Sequence, residues 1–165
     1  MRNVDIGLLH HSDARWLETE FNARWPWPRP DGFIAATIGS CPHFVARDSS
    51  GRYLGHCHVR SSLHPPFINQ GVREIADLSV MPDVRRHGAA SALLDAAEAL
   101  VAQTEREVGI GVGLDESYGP AQRLYVKRGY VPDATGAWFG PTQVRSGATV
   151  TAGDDLVVYL SKPLP

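Results

Sequence analysis

Apolar and polar positions alternate along this chain with two periods, and the change of period divides it into strands and helices. Val4 to Leu9 reads as a first strand. Ser12 and Asp13 then stand where a helix cap belongs, ahead of Trp16, Leu17, Glu20, Phe21 and Trp25 at roughly helical spacing. Pro26 must stop that helix and opens a proline-broken connection running to Gly32. Phe33 to Ile38 fits either a short second helix or an extended segment. His43 to Arg47 and Tyr53 to Val59 are strand-like runs flanking Asp48-Ser49-Ser50-Gly51, which has the composition of a hairpin turn. Ser61 to Gly71 reads as a longer loop. Glu74 to Val80 alternates Ile75, Asp77, Ser79 with Glu74, Ala76, Leu78, Val80, a strand with at least one buried face.

The period lengthens after Gly88. Leu93, Leu94, Ala97, Leu100 and Val101 form one apolar stripe on a helix expected from Gly88 to about Glu107. Gly109 to Leu114 alternates glycine with aliphatics, so Ile110, Val112 and Leu114 should face a core while the glycine face lets something else approach closely. Pro120 to Arg128 has proline at its start and Gly129 at its end, the polarity of a helix. Leu156 to Leu160 is a closing strand. The order β-α-(α)-β-β-β-α-β-α-β-β belongs to the mixed α/β class.

With 165 residues, 43% of them hydrophobic, the chain is long enough for one domain, 1–165, with one core. A net charge of −2, from 16 basic and 18 acidic residues, argues against nucleic acid or an anionic membrane as the main partner. There is no apolar run of bilayer length and the first residues lack the layout of a secretory signal, so a cytoplasmic protein is expected. Cys41 and Cys57 form no Cys-x-x-Cys pair, and a disulfide framework is not expected.

Candidate chemistry concentrates at Val80-Met81-Pro82-Asp83-Val84-Arg85-Arg86-His87-Gly88-Ala89-Ala90-Ser91, where a strand passes through a basic glycine-containing loop into a helix. The first N–H groups of a helix lack intrahelical partners and sit at the positive end of its dipole, so they suit a diphosphate. Arg85 and Arg86 add full charges, and Gly88, Ala89 and Ala90 leave room for close approach to the main chain. The spacing Arg-x-x-Gly-x-Ala resembles the acetyl-CoA loop of the general-control-related N-acetyltransferases, the GNAT superfamily. Ala121-Gln122-Arg123-Leu124-Tyr125-Val126-Lys127-Arg128-Gly129-Tyr130 resembles the second signature of that family, Ala-x-x-Leu-Tyr-x-x-x-Gly-Phe/Tyr. The resemblance is specific over Glu74 to Tyr130. It departs from the family at Tyr118, where many members carry Asn, so a contact to the cofactor arm is in question there.

The resemblance implies a central, mostly antiparallel, splayed sheet flanked by helices, and an N-acetyltransferase using acetyl-CoA as cosubstrate. It further implies that Arg85, Arg86, His87, Gly88, Ala89, Ala90 and Ser91 hold the diphosphate, largely through backbone N–H groups, with His87 exposed. The backbone of Leu78, Ser79 and Val80 would pair with the pantetheine arm. Tyr125 would lie beside the cofactor sulfur and serve as the acid for the departing thiolate. Glu74, eleven residues before Arg85, stands where several members place a catalytic glutamate and is the candidate base; Asp77 is an alternative that needs a bulge to share its face.

Other features carry less. His56 and His58 share a strand face and Cys41 or His43 could approach, yet the ligand grouping is not that of a zinc site, and no metal is expected. Gly109-x-Gly-x-Gly lacks the spacing of a dinucleotide fingerprint, and no Gly-x-Ser-x-Gly or Gly-Lys-Ser/Thr element occurs. Trp25, Trp27, Trp138 and Phe139 fit an aromatic acceptor pocket, core packing or a homodimer contact. The expected activity is acetyl transfer to a primary amine of a small molecule. The rivals are a protein or peptide N-acetyltransferase and a non-catalytic acyl-CoA-binding module.

Overall fold

The computed structural model describes residues 4–165, which divide into two compact units. The first comprises the chain up to Arg60 together with Ile75–Leu100, and the second Ser61–Glu74 with Val101–Pro165.

In the first unit the strands run in the order β1-β2-β3-β4, with β1 at Val4–Leu8, β2 at His43–Asp48, β3 at Tyr53–Ser61 and β4 at Arg73–Val80. β1 pairs antiparallel with β2, and β2 with β3 across the Asp48–Gly51 turn, the register shifting between Ala46 and Arg47. The Asp48 carboxylate accepts from the N–H groups of Ser50 and Arg52, and Gly51 takes φ +84°, so the turn is closed from within. Helix α1, Ala14–Arg24, follows a 310 turn at His11–Asp13 in which Asp13 accepts from the His10 N–H. It buries Ala14, Leu17 and Phe21 and ends at Trp25, immediately before Pro26. Phe33–Ile38 is helical, α2, entered through Gly32 at φ +80°. Helix α4, Ala89–Val101, stops six residues before the expected end and buries Leu93, Leu94, Ala97 and Val101.

The second unit contains a helix that the sequence reading had as loop: α3, Pro65–Gln70, with two prolines at its start and Gly71 at φ +69° closing it. Its strands run β5-β8-β6-β7, with β5 at Glu107–Gly113, β6 at Val131–Phe139, β7 at Thr142–Gln143 and β8 at Leu156–Pro163, each neighbouring pair antiparallel. The short β7 was also unanticipated. Helix α5, Gly119–Lys127, ends before Gly129 at φ +89°. Val108, Ile110 and Val112 are buried, but Leu114 lies past the end of β5 and is 41% exposed, which corrects its assignment to the core. The glycine face of β5 receives aromatic rings. A Cβ at Gly109 would collide with Phe67 of α3, one at Gly113 with Tyr118, and one at Gly111 would press on Tyr159, its cross-strand partner on β8.

Among the described residues no helix is long and apolar enough to cross a membrane, and no group of His, Cys, Asp and Glu is arranged to hold a metal ion.

Candidate active site

In the first unit the basic loop leaves β4 at Val80, makes a 310 turn at Pro82–Val84 and enters α4 at Ala89. Two residues before the helix take left-handed backbone, Arg86 at φ +64° and Gly88 at φ +91°. At Gly88 no atom lies within 4 Å of where a Cβ would stand, so its backbone faces open space. Arg85, Arg86 and His87 are exposed, and Arg85 is steadied by donating from Nε to the Val80 carbonyl at 3.2 Å while its guanidinium lies 5.8 Å from the Trp25 ring centre. Ala89, Ala90 and Ser91 form the first turn of a 13-residue helix, with its unpaired N–H groups. Glycine backbone, small residues, a helix dipole and two exposed cations fit a diphosphate. Leu78 and Val80 are half-buried and Ser79 is buried.

Asp77 interrupts β4 at φ +52°, left-handed backbone that breaks the strict alternation of side chains. Its Oδ1 receives Arg29 Nη2 and the Ser79 hydroxyl at 3.4 Å, and its Oδ2 lies 3.2 Å from His56 Nε2. The other nitrogen of His56, Nδ1, is 2.5 Å from the Tyr53 hydroxyl. Burial raises the Tyr53 pKa far above its usual value, which keeps that hydroxyl protonated as the donor and makes His56 an Nε2–H donor to Asp77. Burial works against the Asp77 carboxylate, yet the His56 hydrogen bond and the charge of Arg29 outweigh it and hold the carboxyl below its usual value. His43 and His58 lie opposite one another on β2 and β3, ring centres 4.7 Å apart. Burial and the neighbouring imidazoles push His43 down to about 3, and burial pushes His58 down to about 4, so both are neutral at pH 7. Both ring nitrogens of His43 and Nδ1 of His58 are buried without hydrogen-bond partners.

In the second unit Glu74 is buried, 4% exposed, and accepts from the Ser62 hydroxyl at 2.7 Å; Ser62 in turn accepts from the His64 N–H. His64 is stacked on Tyr159 at 3.8 Å between ring centres, and its Nε2 is 2.6 Å from Asp133 Oδ2. Tyr125 is buried in α5, its ring 5.9 Å from Tyr130. Tyr118, the departure from the family pattern, lies against Gly113 and donates its hydroxyl to Asp154 at 2.7 Å. Of the aromatics weighed for an acceptor pocket, Trp138 is core, donating to Thr135 and edge-on to His64, whereas Trp27 is 72% exposed and Trp25 stacks on Phe21. The pairing of Arg29 with Asp77 was not anticipated, because a basic residue in a proline-rich connection gives no sign of where its side chain ends. Ser62 was likewise missed inside a segment taken for loop.

The sequence matches the acetyltransferase (GNAT) family over residues 12–130, and the chain belongs to that family. It is an acetyltransferase. No curated protein matches it by sequence. Among solved structures it is similar to an N-acetyltransferase from Staphylococcus aureus Mu50, at 19% identity, 99% of each chain covered and a TM-score of 0.71. It is also similar to Arabidopsis thaliana NAA60 in complex with acetyl-CoA, at 15% identity, 98% of each chain and a TM-score of 0.71. A third is a phosphinothricin acetyltransferase from Sinorhizobium meliloti in complex with acetyl-CoA, at 14% identity, covering 98% of this chain and 88% of that one, with a TM-score of 0.69.

Proposed function

We propose that residues 1–165 act as one acetyltransferase domain that moves the acetyl group of acetyl-CoA directly onto a primary amine of a small molecule, in the cytoplasm where acetyl-CoA is available. The observation that carries the cofactor side is the Arg85–Ser91 loop, with Gly88 facing open space ahead of a long helix. Its backbone N–H groups, with Arg85 and Arg86, bind the diphosphate, and the backbone of Leu78–Val80 pairs with the pantetheine arm. Glu74 takes the proton of the acceptor ammonium, and the freed amine attacks the thioester carbon. As the carbon–sulfur bond breaks, Tyr125 gives its hydroxyl proton to the thiolate of CoA, and its phenolate takes back the extra proton of the new amide nitrogen. Ser62, holding one oxygen of Glu74, keeps that carboxylate oriented.

A small acceptor is favoured by the aromatic and polar side chains at the α1–α2 connection. The S. meliloti phosphinothricin acetyltransferase, similar in fold, acts on a small molecule by its name.

Two measurements test the reading. Saturating acetyl-CoA raises the melting temperature of the protein, and Gly88→Asp, which sets a negative side chain against the diphosphate, abolishes the rise; an unmoved midpoint in the wild-type protein sinks the cofactor assignment. A panel of polyamines, amino sugars, amino acids and peptides is then screened for thiol release. Release with peptides alone replaces the small-molecule reading with a peptide one, and binding without release to any amine leaves a non-catalytic acyl-CoA module. With a responsive amine, Tyr125→Phe cuts turnover by at least about tenfold at unchanged acetyl-CoA binding, and Glu74→Gln lowers turnover at neutral pH.

A further inference from the structure

The Asp77 carboxylate is an unusual group to find where it is. Only 12% of its side-chain surface is accessible, its backbone is left-handed, and beside the His56 hydrogen bond it is paired with a cation. That cation is Arg29, from the proline-rich connection between α1 and α2. Its guanidinium carbon lies 4.8 Å from the centre of the Phe33 ring and 5.6 Å from that of Phe21, so the cation is held between a carboxylate and two aromatic faces. The main chain at Arg29 is fixed on both sides by one residue of α1: Asn22 Oδ1 accepts from the Arg29 N–H at 2.8 Å, and Asn22 Nδ2 donates to the Arg29 carbonyl at 3.1 Å. Among the described residues the side chain has no anchor besides Asp77 and the rings of Phe21 and Phe33, and it keeps 30% of its surface in water. Without Arg29 the carboxylate keeps its hydrogen bonds from His56 and Ser79 but has no counter-charge in a nearly buried place, which favours another cation as the group to take over from Arg29.

We propose that Asp77, with the rings of Phe21 and Phe33, is the binding site for a second cationic group of the acetyl acceptor, an ammonium or guanidinium, and that Arg29 occupies this site in the free protein as an internal competitor. The acceptor is therefore a diamine or an amine bearing a guanidinium. The acceptor part of this inference rests on the acetyltransferase reading; the cation site does not.

The site is tested without turnover by melting Arg29→Gln in millimolar methylguanidinium, with methylurea, neutral and of the same shape, as the control and ionic strength held constant. The cation raises the midpoint by several degrees and methylurea does not, and the response disappears in Arg29→Gln combined with Asp77→Asn. Equal responses to both compounds, or none, overturn the cation site. The acceptor role is tested by thiol release with 1,4-diaminobutane and agmatine against butylamine. Arg29→Gln lowers the KM of the two dications by at least about fivefold, the factor that one released aromatic–cation contact represents, and leaves the KM of acetyl-CoA unchanged. A purely structural strap predicts the opposite, a raised KM or lost activity. Phe33→Leu, at a ring 38% exposed and tolerant of change, serves if Arg29→Gln does not fold; it raises the KM of the dications and not that of butylamine, and equal effects on all three amines overturn the acceptor role. Thiol release from the wild-type protein without a methylguanidinium response removes the cation site and keeps the enzyme; the reverse pattern removes the enzyme and keeps the site.

Discussion

β3 in the first unit and β5 in the second are both buried on two faces, and they fill those faces in opposite ways. β3 carries its own bulk, and that bulk is polar: His56 and His58, with His43 from β2, are almost wholly buried. β5 carries none on one face; Gly109, Gly111 and Gly113 leave room that Phe67, Tyr159 and Tyr118 fill from elsewhere. The histidine face is therefore sensitive to protons and the glycine face to volume. In the first, three ring nitrogens without partners are a standing penalty of about 1–3 kcal/mol each before internal water is counted. In the second, close packing leaves no room for a methyl group.

The largest effect expected from this contrast is acid sensitivity of the first unit. His43 and His58 have folded-state pKa values of about 3 and about 4, below the ordinary value of 6.5, so between pH 6.5 and pH 4 the unfolded chain binds protons that the folded one refuses. Their contribution to stability is whole above pH 6.5 and is lost as pH falls through that window. Each group changes the unfolding equilibrium by about tenfold per pH unit. Denaturant titrations at steps of half a pH unit should show a loss on the order of several kcal/mol by pH 4; stability that stays flat to pH 4 means that neither imidazole titrates below its ordinary value in the fold. Asp77, whose carboxyl is held below its usual value, adds a further loss of the same sign only at lower pH.

Next in size is the volume test on the glycine face. Gly109→Leu forces the Phe67 ring away and should cost about 3 kcal/mol, with a strand glycine's entropy gain recovering only a fraction of it. Gly109→Leu combined with Phe67→Ala should restore a good part of that loss in chemical denaturation. A double variant as unstable as the sum of its parts would separate the two positions.

The smallest effect has the opposite sign. His43→Leu removes two unpartnered polar atoms at little change of volume, and should stabilise the protein by about 1 kcal/mol at neutral pH while removing half of the acid slope between pH 6.5 and pH 4. Loss of stability with an unchanged slope would mean that His43 is hydrogen-bonded and that His58 alone carries the proton linkage.

The backbone of the Arg85–Ser91 loop and the helix carrying Tyr125 were legible because they are local. Gly88 has to be glycine for its own φ, Ala89 and Ala90 have to be small where the helix begins, and the helix stripe from Leu93 to Val101 depends only on a period of 3.6. Turn composition likewise located the Asp48–Gly51 hairpin, and the geometry of proline the stop before Pro26. Three other assignments needed contacts distant in sequence. Ser61–Gly71 opens on two serines, carries Pro65 and Pro66 and closes on Gly71, so it looks like a loop, yet Phe67 finds its place on Gly109, 42 residues later, and the helix forms around that contact. Phe33–Ile38 is apolar but for Thr37, so period could not choose between helix and strand; burial of Ile34 and Ile38, one turn apart, decided for the helix. Arg29 meets Asp77 across 48 residues, and Tyr53 reaches Asp77 through His56. A sequence fixes which groups are present and the local backbone each prefers. Which buried charge meets which cation is fixed only when packing excludes water and every ionised group must find its partner inside the fold.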